Sequence, residues 1–270
     1  MTRALFAQQG EGFTPLDLAR GYWKHDSLHG RALVGLLGYE LDRRHGGEGF
    51  VPARLNVDMF ELAPFGHVTV NSRVVKISSR LRLVEGDLLV DGRAVARGVC
   101  QILRAGEAPP GHVWSPGPWG APTPESLSPK AGDPSPRIFE WRNIQGRMGE
   151  AGQKRLWARE THALIDGTPL TPYARITLLA DFVSPYAHGG DAGIKYINTD
   201  VGVHLHRLPV GEWIGVETTG HEASSGIAVG HCRLHDIEGP IGFASCAALA
   251  HDRRRSMGAA KRDEAKAPAT

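Results

Sequence analysis

The sequence predicts an α+β protein made of two similar halves, each with one long buried helix and a run of antiparallel strands. Two observations support this prediction. Each half contains one strongly apolar helical stretch beside several strand-like segments, and short motifs recur in the same order in both halves. The chain of 270 residues is 41% hydrophobic, so it can form one large or two small folded domains.

The recurring motifs are Asn-x-Asp, then Pro-x-Gly, then an acidic residue before Gly. They occupy residues 56–58, 64–66 and 91–92 in the first half and residues 198–200, 209–211 and 238–239 in the second. The copies are offset by 142 residues at the Asn and by 147 residues at the last Gly. A repeat of this length predicts a duplicated domain rather than a solenoid.

A proline-rich segment separates the two halves. Nine of the 18 prolines lie in residues 106–137, a density that excludes a helix or a central strand. We therefore predict an N-terminal domain over 1–105, an extended linker over 106–137 and a C-terminal domain over 138–252. The two linker tryptophans are expected to pack against the protein. Residues 253–270, charged and rich in Ala, are predicted to form a flexible tail.

The first half contains a predicted helix over residues 28–41. Its apolar residues recur at helical spacing and form a broad stripe that is suited to burial. Ser27 or Asp26 is the expected N-cap, and the cations and glycines of residues 43–47 are the expected stop. Strands are predicted at residues 53–61, 68–77, 80–90 and 93–103. The Asp-Gly pair between the last two strands favours a hairpin turn.

The second half has strands predicted at residues 138–143 and 154–164 before its helix. Thr171 is expected to cap this helix, Pro172 to be its first residue and Pro185 to end it. Further strands are predicted at residues 194–206, 213–221, 225–235 and 241–250. Because neither half has a second helix of similar length, each apolar helix is buried most simply when its sheet wraps around it.

One stretch of the second half carries a series of motifs that resemble a known family. Residues 196–213 contain an aspartate strand, a His-Arg-Leu-Pro corner and then Glu-Trp, while residues 223–225 read Ala-Ser-Ser and residues 238–240 read Glu-Gly-Pro. This series resembles the TesB-like (type II) acyl-CoA thioesterases, and the likeness extends over most of residues 13–250. With the helix-and-sheet pattern, it implies a double hotdog, in which two antiparallel sheets each wrap around a long central helix.

The resemblance implies hydrolysis of a fatty-acyl thioester by a water molecule that an aspartate activates. In that family an Asp on the buried helix of the second half, a hydroxyl residue on the next strand and a Gln near the last strand hold the water. The Asp matches Asp181, and the strand position matches Asn198 with Thr199 beside it. The Gln position matches Cys246 or Ala247, so no glutamine is present there. An acyl-CoA or other acyl-thioester partner and a homo-oligomer are also implied.

The chemistry of each candidate residue also indicates what role it can have. Asp181 lies near the C-terminal end of an apolar helix, where the helix dipole and burial both disfavour its charge. We expect Asp181 to be catalytic. The structural alternatives are a carboxylate that is exposed at a frayed helix end, or one that accepts a hydrogen bond from a neighbouring strand. Asn198 and Thr199 point to opposite faces of a strand, so only one is expected to face the site. His29 and Gly30 begin the first helix, where a thioester oxygen could approach the backbone; a capping loop is the other interpretation.

Two other functions stay open at this point. A hotdog hydratase or dehydratase needs an Asp–His pair with a signature similar to D-x-N-P-x-H, and residues 181–188 hold a longer string of that kind. A non-catalytic acyl-CoA-binding double hotdog would keep the acyl site and lack the glutamine.

Composition argues against several other classes of protein. Lys and Arg total 31 against 29 for Asp and Glu, a formal charge of +2, so nucleic-acid binding is not expected. No apolar run approaches the roughly 20 residues of a membrane helix. Cys100, Cys232 and Cys246 are scattered without a CxxC pair. His204 and His206 lack a third ligand nearby, so no metal site is expected. We expect a cytoplasmic protein without a cofactor.

Overall fold

The structure, a computed structural model, describes the chain in three stretches. These stretches are residues 4–24, 26–129 and 139–251. The predicted tail over 253–270 and the last part of the predicted linker, 130–137, lie outside the described residues. Ile138, the first residue of a predicted strand, also lies outside them.

The described residues form sixteen strands, three α-helices and two short 3-10 helices. The strands are β1 (Ala4–Gln9), β2 (Gly12–Pro15), β3 (Phe50–Met59), β4 (Val68–Ile77), β5 (Leu81–Val90), β6 (Arg93–Arg104), β7 (Phe139–Gln145), β8 (Arg155–Glu160), β9 (Ala163–Ile165), β10 (Gly189–Gly190), β11 (Gly193–Ile194), β12 (Tyr196–Asn198), β13 (Asp200–Leu205), β14 (Trp213–Ser224), β15 (Ile227–Asp236) and β16 (Gly239–Ala250). The α-helices are α1 (Gly30–His45), α2 (Pro172–Ala180) and α3 (Val183–His188), and the 3-10 helices are Asp17–Ala19 and Pro124–Ser126.

Fourteen of these strands form one continuous sheet. Its order is β7-β8-β14-β15-β16-β13-β3-β6-β5-β4-β2-β1-β9, with β12 paired to β16 beside this path. Strands β1 and β9 are parallel, whereas the other neighbours in the sheet are antiparallel. Strands β10 and β11 form a separate two-stranded sheet. The strands of the two halves therefore share one hydrogen-bonded surface.

The halves join at the antiparallel pair β3–β13. Asp58 lies opposite Asp200, and Leu55 lies opposite Val203. Asp58 and Asp200 are also equivalent residues of the 142-residue sequence repeat. The side chain of Asp200 accepts a hydrogen bond from the Ala247 N–H at 2.6 Å, and burial raises its pKa. The repeated acids thus lie at the junction of the halves.

Helices α1 and α2 run in opposite directions and pack closely on each other. A Cβ atom on Gly35 would lie 2.6 Å from Leu178, and one on Gly38 would lie 2.5 Å from Thr177. The Thr177 hydroxyl also donates to the Gly35 carbonyl at 3.4 Å. Because no side chain stands between the helices at these two glycines, the backbone of α1 approaches α2 directly. The apolar side chains of both helices belong to one buried core with the sheet.

Helix α1 begins two residues later than predicted and ends four residues later. The predicted cap at Ser27 is wrong, since the Nδ1 atom of His29 accepts a hydrogen bond from the Arg31 N–H at 3.1 Å. The Ser27 hydroxyl instead donates to a backbone carbonyl at 2.7 Å. The stop after the cations is confirmed: the helix ends at His45, and Gly46 is the C-cap residue.

The prediction that Pro185 ends the second helix is wrong. The predicted start is confirmed, because the Thr171 hydroxyl accepts from the Ala174 N–H at 3.1 Å and Pro172 is the first helical residue. Helix α2 ends at Ala180, before Asp181, and a second short helix, α3, contains Pro185 in its first turn. Proline is tolerated there because the first residues of a helix need no internal N–H donor.

Two predicted strands are divided in the structure, and three strands were not predicted. The predicted strand 154–164 consists of β8 and β9, and β9 leaves its half to pair with β1. The predicted strand 194–206 consists of parts of β11, β12 and β13. The strand predicted at 68–77 is confirmed as β4. The strands that were not predicted are β1, β2 and β10.

The linker tryptophans differ from each other. Trp119 packs on the protein as predicted, stacked on His235 with ring centroids 4.2 Å apart and at an edge of Trp157 at 4.8 Å. Trp114 is 85% exposed, so its predicted packing is wrong. The aromatic contacts of Trp119 tie this part of the linker to β8 and β15.

Candidate active site

A cavity of about 250 Å³ lies between the two halves. The start of α1 and the end of β3 form its wall on the side of the first half, and the loop after α2 and residues 197–199 form the wall on the other. The five residues proposed from the sequence all line it: His29, Gly30, Asp181, Asn198 and Thr199. The structure therefore brings together side chains that are up to 170 residues apart in the sequence.

Asp181 follows α2 directly and is 8% exposed, so it is not an Asp at a frayed, solvated helix end. Its Oδ1 atom accepts a hydrogen bond from Asn198 Nδ2 at 3.1 Å. Its Oδ2 atom lies 3.5 Å from Nδ1 of His29. One carboxylate oxygen is thus held by an amide donor from the next strand, while the other faces an imidazole.

Gly30 is the first residue of α1, and the Asp181 carboxylate lies against it. A Cβ atom at Gly30 would be 2.6 Å from Oδ1 and 2.7 Å from Oδ2, so only glycine permits this approach. The N-terminus of α1 carries a partial positive charge, which favours a carboxylate by about 0.3–1 kcal/mol. This interaction opposes the unfavourable dipole of α2, a compensation that the sequence did not indicate.

His29 has a defined hydrogen-bonding role as the cap of α1. Because its Nδ1 accepts from the Arg31 N–H, the neutral imidazole carries its proton on Nε2. The ring packs edge-on against Tyr22, with centroids 5.1 Å apart. Tyr22 is 66% exposed and lines the same cavity, at its solvent side.

Asn198 and Thr199 both line the cavity but make different contacts. Asn198 bonds to Asp181 as described above, whereas the Thr199 hydroxyl donates to the Ala247 carbonyl at 3.4 Å. Of the two, only Asn198 is in hydrogen-bond contact with the carboxylate. The role of either residue in a reaction stays a prediction.

A second cavity of about 180 Å³ adjoins the first and shares His29, Asp181 and Tyr22 with it. Its other walls are mainly aromatic and apolar. They include Phe139, Trp141, Met148, Phe182, Pro185 and Ile194. Sequence reasoning missed this cavity, although the Phe-x-Trp alternation at the start of β7 indicates that both rings face the same side of the strand.

Metal-binding clusters and membrane-spanning helices are both absent from the described residues, which are 4–24, 26–129 and 139–251. There, no group of three or more His, Cys, Asp or Glu side chains is arranged to hold a metal ion. None of the helices in this part of the chain is long and apolar enough to cross a membrane.

Comparison with known families identifies the chain. A family model described as the acyl-CoA thioesterase C-terminal domain matches residues 111–246, half of the sequence. The chain belongs to this acyl-CoA thioesterase family. Membership supports hydrolysis of acyl thioesters as the general class of reaction, and the resemblance to TesB-like thioesterases is confirmed. None of the curated proteins compared with the chain matches it.

Solved structures similar to this thioesterase-family protein share the hotdog fold. A candidate thioesterase from Novosphingobium aromaticivorans has a TM-score of 0.72 and 21% identity, with 92% of this chain and 99% of the other covered. The TesB protein of Mycobacterium avium subsp. paratuberculosis has a TM-score of 0.69 and 14% identity, with coverage of 92% and 96%. A hotdog-fold protein of unknown function from Alicyclobacillus acidocaldarius has a TM-score of 0.71 and 14% identity, with 92% of this chain and 96% of the other covered. At these identities the likeness shows the fold alone.

In this member of the acyl-CoA thioesterase family, Cys246 is buried beside the site and is not part of the cavity wall. Its Sγ atom lies 3.4 Å from Nε2 of His188, and burial raises the pKa of the thiol to about 12. His188 is also 2.8 Å from His221, measured between the two Nδ1 atoms. The imidazole that faces Asp181 is therefore His29, not the histidine of the 181–188 string.

Proposed function

We propose that this protein hydrolyses acyl-CoA thioesters with a water molecule that Asp181 activates. The observation that carries the proposal is the buried Asp181 carboxylate, which lines a cavity, is oriented by Asn198 and lies against the start of α1. A buried carboxylate at the wall of a cavity is a suitable general base when its substrate water is within hydrogen-bond reach.

The proposed reaction needs one base and one oxyanion site. The water oxygen attacks the thioester carbon while Asp181 takes a water proton, and the carbonyl electrons move to oxygen. The Gly30 N–H, for which no hydrogen-bond partner is found among the described residues, stabilises this oxyanion at the helix N-terminus. The C–S bond then breaks, the thiolate leaves and takes up a proton, and a carboxylic acid remains.

The two cavities suggest where the substrate lies. The apolar cavity beside Asp181, with walls such as Phe139 and Trp141, suits an acyl chain. The more polar cavity, which reaches exposed Tyr22, suits the thiol side of the substrate. The thioester carbon would then lie where the two cavities meet, next to the carboxylate.

The repeat offers a reason for one site per chain. We infer a double hotdog with domains 1–105 and 138–252 around linker 106–137, supported by the β3–β13 junction. The offset of 142 residues makes Pro172 the counterpart of Gly30, and Tyr39 the counterpart of Asp181. Proline has no N–H and tyrosine is not a base at neutral pH, so the second symmetry-related position lacks both groups. A homo-oligomer and a cytoplasmic location remain predictions.

Asp181→Asn tests the proposal with almost no change in shape. Acyl-CoAs of several chain lengths are incubated with each protein, and released thiol is measured. We expect the variant to lose about 100-fold or more in kcat, since a general base contributes roughly 10²–10⁴ in rate. Asp191→Asn, a matched change at an exposed residue, is the control and should keep full activity. Thiol release by Asp181→Asn at the wild-type rate would end the proposal.

A second reaction, hydration of an enoyl thioester, is favoured by one observation. His29 lies 3.5 Å from Asp181, and an Asp–His pair is what that chemistry needs. Enoyl-CoA absorbance separates the two: its loss without thiol release supports hydration, and thiol release supports hydrolysis.

A further inference from the structure

A third cavity, of about 460 Å³, is larger than either cavity at Asp181. It lies between the end of α3, the segment before β8 and the middle of β14. Its polar walls are formed by Gln153, Lys154, His188, Thr218, Thr219 and His221, and the rest by Gly and Ala. No Asp or Glu is among the described residues that line it, so its side chains supply cationic and neutral groups only.

Lys154 is the unusual group in this cavity because it is buried without a carboxylate. It is 2% exposed, and its ammonium donates to the Gly152 carbonyl at 3.3 Å and lies 5.9 Å from the Tyr186 ring centroid. Among the described residues no carboxylate lies within ion-pair distance of it. Burial lowers the pKa of the Lys154 ammonium, and the nearby Glu150 opposes this shift only in part. A buried ammonium with unused donors is unfavourable unless an anion joins it.

His221 supplies a second donor at this cavity, through a series of contacts that runs from Cys246 to His188 to His221. Burial keeps the Cys246 thiol protonated and lowers the pKa of His188 to about 4. A protonated thiol can donate to Nε2 of His188, an arrangement that places the His188 proton on Nδ1. In this arrangement the His188 Nδ1–H donates to Nδ1 of His221 at 2.8 Å, and Nε2 of His221 is the protonated nitrogen. His221 is exposed at the cavity and presents this N–H as a donor.

We propose that this cavity is a binding site for a phosphate-class oxyanion, held by the Lys154 ammonium and the His221 Nε2–H. A tetrahedral oxyanion accepts hydrogen bonds from several directions, and lysine binds phosphate as a point charge. The cavity has the size of a small-molecule site and exceeds what one phosphate needs, so a phosphate attached to a larger molecule also fits. The site is separate from the proposed hydrolysis and needs no Asp181.

Calorimetric titration at constant ionic strength tests the proposal, with inorganic phosphate and adenosine 3′,5′-bisphosphate as probes. Wild-type protein should bind at least one of them saturably, and Lys154→Met should weaken that binding about tenfold or more. His221→Phe, at an exposed position that tolerates substitution, should weaken it about threefold or more. Lys76→Met, a matched change on exposed β4, should have no effect.

The outcomes separate the sources of the phosphate and decide the proposal. Tighter binding of the bisphosphate indicates a nucleotide phosphate, and equal binding indicates free phosphate; both support the site. Absence of saturable binding by wild type overturns it, as does unchanged binding by both Lys154→Met and His221→Phe. Thiol release is measured in parallel, and an unaffected rate in Lys154→Met shows that this site and the hydrolytic site are independent.

Discussion

Gly30→Ala perturbs the contact between the start of α1 and the Asp181 carboxylate. The new methyl group would lie 2.6 Å from Oδ1, whereas ordinary contact begins at 3.4 Å, so the carboxylate must retreat by about 0.8 Å. A displacement of this order at a reacting group costs about 100-fold in rate. The clash should also lower the free energy of unfolding by about 1–3 kcal/mol, a loss that the higher helix propensity of alanine offsets in part. We therefore expect a folded protein with about 1% of the wild-type activity.

The assay compares kcat/KM for acyl-CoA hydrolysis with stability in urea. Gly38→Ala is the matched control in the same helix, because its methyl group would meet Thr177 of α2, away from the cavity. That variant should lose about 1–3 kcal/mol of stability through overpacking and keep its activity. Wild-type kcat/KM in Gly30→Ala would refute the reasoning, because the carboxylate would then tolerate displacement.

Two further predictions concern stability. Burial lowers the pKa of His235 to about 4, so between about pH 6.5 and pH 4 the unfolded chain binds a proton that the folded chain does not bind. As the pH falls through this window, the free energy of unfolding of the wild type should decrease by about 3 kcal/mol, and that of His235→Gln should not show this decrease. Urea titrations at several pH values check this, and parallel pH curves would contradict it. Asp236 is buried and accepts hydrogen bonds from Arg207 and the Val210 N–H, each at 2.7 Å. Asp236→Ala should therefore cost about 3–5 kcal/mol in urea unfolding, and a loss below 1 kcal/mol would contradict this role.

Asp181 and Asn198 were predicted as site residues through the resemblance to TesB-like thioesterases, and local signals predicted the elements that carry them. The Thr-Pro start of α2 fixes where that helix begins, and its apolar period carries Asp181 to the core end of the helix. The strand predicted at residues 194–206 includes Asn198. A helix start with Gly30 could be read from the sequence, but its contact with Asp181 could not, because the two residues meet only through packing of α1 on α2.

The remaining features depend on contacts distant in sequence. Nothing local indicates that β9 pairs with β1, since a three-residue strand has too short a pattern to define its partner. Residue preference predicts Ser27 or Asp26 as the cap of α1, yet His29 takes that position, with its Nδ1 atom accepting from the Arg31 N–H. Pro185 was expected to stop a helix, but a break after Ala180 lets it begin a new one.

A single turnover in ¹⁸O-labelled water, with enzyme in excess over acyl-CoA, tests the central claim most directly. If water held by Asp181 attacks the thioester carbon, the released fatty acid carries ¹⁸O from the first turnover and the Asp181 carboxyl stays unlabelled. Mass spectrometry of the acid and of the peptide that contains Asp181 measures both. Unlabelled acid together with ¹⁸O in Asp181 would contradict the account, because the carboxylate itself would then have attacked the substrate.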